Sequence, residues 1–111
     1  MVLEKDRLAM YLERMHAAIS AIYKYTKDID IDTIEKHPII LDACLMQMIH
    51  IWETANKLAK KFPKFEWLPL QEMIQLRNFA AHDYLGINTH IIKKIIKDEL
   101  RDIDNKISKL L

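Results

Sequence analysis

The stretch Thr89–Leu111, THIIKKIIKDELRDIDNKISKLL, decides the fold class. Ile92, Ile95, Ile96, Leu100, Ile103, Ile107 and Leu110 recur at three- and four-residue steps, with charged residues between them. Side chains at that spacing share one face of an α-helix, whereas a half-buried strand would alternate at period two. The pattern predicts a helix from about Thr89 to the end of the sequence, with Asn88 as its cap. Gly86, the only glycine, lies just before it and reads as the stop of a preceding helix.

Reading back from there, a third helix is predicted from about Pro69 to Tyr84, after a loop bracketed by Pro63 and Pro69. A second helix covers about Ile39 to Lys61, with Pro38 placed where a helix begins. Its first half, Ile39 to Ile49, is apolar on almost every side, so more than one of its faces is expected to be covered. A second subunit is one candidate cover. The first helix runs from about Leu3 to Lys27, with Leu8, Leu12, Met15, Ile19, Ile22 and Thr26 as its stripe. Between helices one and two, Asp28-Ile-Asp-Ile-Asp32 is acidic and poor in helix formers. It reads as a connection with a turn of helix at Asp32–Lys36. Four main helices with short connections predict an all-α, antiparallel helical bundle, a single domain over residues 1–111.

Composition agrees with this. The chain has 111 residues, half of them apolar and 30% charged, with one Gly and three Pro, too few for a turn-rich β fold. Net charge is only +1, so any contact with nucleic acid has to be local rather than global. Cys44 is the only cysteine and sits among Ala43, Leu45 and Met46; it reads as a buried small hydrophobe and excludes an intrachain disulfide. No signal peptide is visible, and no stretch reaches the roughly 18 uninterrupted apolar residues of a membrane span. A reduced, cytoplasmic setting is expected.

The chemistry is concentrated in Leu76-Arg-Asn-Phe-Ala-Ala-His-Asp-Tyr84. Asn78 and His82, four apart, share a helical face. Arg77 and His82, five apart, do not line up directly. They converge through the length of the Arg side chain, through a distorted helix end, or by pairing with a second copy of the motif. Histidine exchanges protons near neutrality, and the planar Arg cation fits phosphate oxygens. Together they suit metal-free RNA cleavage, in which a base deprotonates the 2′-hydroxyl and a cation stabilises the charge building on phosphorus. The same residues also suit a plain helix end, where the dipole favours His82.

These residues resemble the signature of HepT-like proteins of the HEPN class: Arg77-Asn78, then His82, then Tyr84, with Gly86-Ile87 after it. The likeness extends to Ile51–Leu58 around Glu53, to Trp67, and to Ile91–Leu100, and covers nearly the whole chain from Leu8. The resemblance implies a homodimeric bundle with two motifs facing each other. It implies a metal-independent endoribonuclease, needing no cofactor, that acts as the toxin of a type VII toxin–antitoxin pair. Arg77 and His82 would be catalytic, Asn78 supporting, and Tyr84 the residue that an MntA-type minimal nucleotidyltransferase antitoxin silences by attaching AMP. The alternative is a non-catalytic HEPN module that docks a nucleotidyltransferase or a nucleotide. Two departures from the family pattern stand out, Trp52 and Gln75 in place of glycines. Trp52 would narrow the site or offer a base a stacking surface.

Three further sets complete the reading. Glu53 either orients Arg77 through a salt bridge or occupies an exposed position. Lys57, Lys60, Lys61 and Lys64 form one basic run, and Lys93, Lys94 and Lys97 another; each could contact a phosphate backbone or serve only helix ends and solubility. His16, His37, His50, His82 and His90 show no metal-ligand spacing. The methionines are expected to fill core or interface gaps.

Overall fold

The computed structural model describes residues 4–62 and 89–111. The predicted third helix, the Pro63–Pro69 loop, Gly86 and Asn88 lie outside the described residues. The protein is all-α, and among the described residues there is no strand. Helix α1 spans Glu4–Thr26, a 3-10 turn spans Ile31–Lys36, and helix α2 spans Pro38–Lys61. The C-terminal helix is continuous but changes pitch: α3 over Thr89–Lys94, a π-helical turn over Ile95–Glu99, then α4 over Leu100–Leu110.

Each boundary has a local cause. The Thr26 hydroxyl turns back to donate to the Ile22 carbonyl at 2.9 Å in the last turn of α1. Asp30 caps the 3-10 turn, its carboxylate accepting from the Asp32 backbone N–H at 3.0 Å. His37 precedes proline and sits at φ −122°, ψ 72°, outside the helical region that a following proline disfavours. Pro38 then opens α2 with its fixed φ and no N–H to leave unsatisfied.

Helices α1 and α2 form the main packed pair and run antiparallel. Tyr25 meets Gln47 at 3.4 Å near one end, and Lys61 lies over the Tyr11 ring at the other. On α1 the predicted stripe faces inward: Leu12, Met15, Ile19 and Ile22 are fully buried, and Leu8 packs on the edge. From α2 come Cys44, Leu45, Met48, Ile51, Trp52, Ala55 and Leu58. The C-terminal helix closes the core with Ile92, Ile95, Ile96, Leu100, Ile103 and Ile107, while Leu110 at its end is exposed. Each fully buried Ile or Leu contributes roughly 1.5–3 kcal/mol.

The π turn was not expected from the periodicity. The Leu100 N–H donates to the carbonyl of Ile95, five residues back. In a regular α-helix those two residues point about 140° apart. The wider turn accompanies burial of Ile95, Ile96 and Leu100 together.

One sequence expectation changes in the folded chain. Trp52 is 3% exposed and belongs to the core, so it offers no stacking face to a base. A helix as apolar as α2 can bury an aromatic residue on its core side, and this one does. On the first half of α2, Ile39 is 84% and Met46 66% exposed in the single chain. Met15 and Met48 fill the core, whereas Met10 is exposed.

Candidate functional site

Of the residues singled out for chemistry, Arg77, Asn78, His82 and Tyr84 lie outside the described residues. Glu53 is described. It is exposed on α2, between the buried Trp52 and Thr54. The Arg77 that the sequence offers it as a partner lies outside the described residues.

The two lysine runs differ, although Lys94 of the second run is exposed like the first. Lys93 pairs with Glu35 at 3.0 Å and Lys97 with Asp32 at 2.5 Å, so the second run clamps the C-terminal helix onto the 3-10 turn. The Lys97 hydrogen bond holds the Asp32 carboxyl below the usual carboxylate range, and Asp32 in turn raises Lys97. Glu35 is lowered first by its own backbone N–H and then by Lys93. The first run behaves otherwise. Lys57, Lys60 and Lys61 are all exposed at the C-terminal end of α2. Among the described residues the salt bridges leave all three without a carboxylate partner. Lys61 instead holds its ammonium 5.6 Å from the centre of the Tyr11 ring.

Sequence reasoning missed one pair. His16 Nδ1 meets Asp104 Oδ1 at 2.6 Å and ties α1 to α4. The partners are 88 residues apart, and no local pattern announces them. Close by, the Tyr23 hydroxyl is buried without a hydrogen bond of good geometry. Burial raises its pKa, and the neighbouring Arg101 opposes that rise. Cys44 is buried, and desolvation pushes its thiol up to about 11. It is inert as a nucleophile near neutrality. Among the described residues no group of three or more His, Cys, Asp or Glu is gathered to hold a metal ion. No helix among them is long and apolar enough to cross a membrane.

This all-α chain matches a family model described as "Ribonuclease HepT-like" over residues 15–110. The chain belongs to the HepT-like ribonuclease family. The matched span takes in α2, the Arg77–Tyr84 stretch and the C-terminal helix. Among curated relatives, "Putative RNase MJ1380" of Methanocaldococcus jannaschii is 27% identical over 109 residues, covering 95% of this chain and 97% of that protein. "Putative RNase TTE0752" of Caldanaerobacter subterraneus is 26% identical over 102 residues, 91% of each chain. "Probable ribonuclease HepT" of Thermococcus cleftensis is 24% identical over 101 residues, 90% of this chain and 92% of that protein. No solved structure matches the chain.

Proposed function

We propose that this HepT-like chain is a metal-independent endoribonuclease that acts as the toxin of a type VII toxin–antitoxin pair. The observation that carries the reading is the family match across residues 15–110, a span that contains Arg77, His82 and Tyr84. In the proposed reaction a general base, assigned to His82, takes the proton of a ribose 2′-hydroxyl. The freed oxygen attacks the adjacent phosphorus and the bond to the 5′-oxygen breaks. The leaving oxygen is protonated, and a cyclic phosphate and a 5′-hydroxyl result. Arg77 stabilises the charge on the phosphoryl oxygens as it develops. Asn78 supports this pair by holding a substrate oxygen or the imidazole tautomer. DNA, without a 2′-hydroxyl, is not a substrate.

The reading includes a single domain over residues 1–111, a homodimer that brings two motifs together, and action in the cytoplasm. A minimal nucleotidyltransferase antitoxin attaches AMP to Tyr84. The adduct adds negative charge and bulk beside the RNA-binding cleft, which repels phosphate. Glu53 is a supporting residue within the same reading.

The test is RNA cleavage by the purified, unmodified protein in EDTA, beside His82→Ala and Arg77→Ala. Cleavage by wild type and its loss in both folded variants is the expected result. Equal inactivity of all three on diverse RNAs, with no adduct on Tyr84 by mass spectrometry, would leave a docking module in its place.

A further inference from the structure

We propose that Lys57, Lys60 and Lys61, at the C-terminal end of α2, form a binding surface for the phosphate backbone of single-stranded RNA. The proposal rests on the ribonuclease reading for the identity of the polyanion, and on the structure for the surface. At spacings of three and four residues these lysines share one face of the helix, spread over about 6 Å along its axis. All are exposed. In the other lysine run two of the three cations are paired, Lys93 with Glu35 and Lys97 with Asp32, and Lys94 is exposed. Of the two basic runs, this is the one in which none of the described lysines has a carboxylate partner among the described residues.

Two details sharpen the surface. Lys61 is pre-positioned by the Tyr11 ring, which is itself 8% exposed and packed in the core. Arg7, one helical turn before Tyr11 on α1, is exposed and adds a cation on that side of the helix. The acidic residue nearest on the same α2 face is Glu53, one turn before Lys57, and three lysines outweigh it. Lysine presents a point charge rather than the planar fork that reads base edges. The surface therefore grips backbone and sets position, while sequence preference lies elsewhere.

The experiment measures binding, so it does not depend on cleavage. Full-length His82→Ala protein is titrated into a short fluorescent single-stranded RNA of mixed sequence between 50 and 200 mM salt. Lys57→Gln/Lys60→Gln is made in that background, and Lys93→Gln/Lys97→Gln serves as the matched control. Each phosphate contact in a single strand contributes about 0.7 to the slope of log affinity against log salt. Removing two contacts should flatten that slope by about 1.4. Across the fourfold salt range the parent then loses about sevenfold more affinity than the variant. The control should keep the parent slope while melting at a lower temperature. An unchanged slope in Lys57→Gln/Lys60→Gln overturns the inference, as does absence of RNA binding by the parent. So does a flattened slope in the control of equal size, which would mean that net charge alone is being read. If wild type cleaves RNA and the variant slope is unchanged, the surface fails and the ribonuclease stands. If the slope flattens but wild type cleaves nothing, the surface stands and the ribonuclease fails. A variant that keeps RNA binding and loses only an acidic protein partner also overturns it.

Discussion

Replacing Trp52 by alanine separates two roles for this side chain. Facing solvent, it would stack on a base; in the core, it would hold α2 in place. At 3% exposure the structure assigns it to the core. A buried aromatic side chain removes about 150–250 Å² from water. At roughly 25 cal/mol/Å² that is worth about 4–6 kcal/mol, an upper bound because the unfolded chain hides part of it already. Large-to-small core substitutions of this kind cost about 3–5 kcal/mol once partial collapse of the cavity is included. A domain of this length has on the order of 6–17 kcal/mol in hand. Trp52→Ala should therefore fold but melt about 12–20 °C lower. Far-UV circular dichroism melts give that number. RNA affinity, measured below the transition, should stay close to wild type. A melting temperature within about 3 °C of wild type, with RNA affinity reduced tenfold, would refute the core assignment. Loss of one stacked base is worth about 1–3 kcal/mol, enough to produce that opposite pattern.

Two further outcomes follow from the charge and thiol environments. The lysine clamp should contribute stability over a bounded pH window. Asp32 and Glu35 are lowered in the folded chain, so their part is present above their unfolded values of about 3.9 and 4.3 and is lost as pH falls through the folded ones. Lys97 is raised, so its part is present below about 10.4 and is lost as pH rises through its folded value. The gap in urea midpoint between wild type and Lys93→Gln/Lys97→Gln should be widest from about pH 5 to 10 and close at both extremes; a gap independent of pH would contradict the clamp. Cys44, buried and raised to about 11, should resist a thiol-labelling reagent at pH 8 until the chain unfolds. Rapid labelling of the native protein would place the thiol at the surface.

Much of the fold was legible in local pattern. The end of the first helix and both ends of the second fall within a residue of where the apolar stripes and Pro38 put them. Periodicity is enforced by backbone geometry within one segment, so one segment suffices to read it. The candidate site is read from residue types alone: Arg77, His82 and Tyr84 lie outside the described residues, and the family match spans their positions. Less legible was which basic residues the fold leaves available. Lys57 and Lys97 look alike in a sequence; only the 3-10 turn, brought against the C-terminal helix, gives one of them an aspartate.

By itself, then, the sequence determined the helical class, the limits of the second helix, the inward stripes and the family. Only the tertiary structure decided which charges are spent on packing, that Trp52 lies inside rather than on a cleft, that Ile95 and Leu100 meet through a π turn, and that His16 finds Asp104 across 88 residues. The physical reason is range. Helix propensity and periodicity act over a few residues, whereas burial and charge pairing depend on which surfaces meet when whole helices pack.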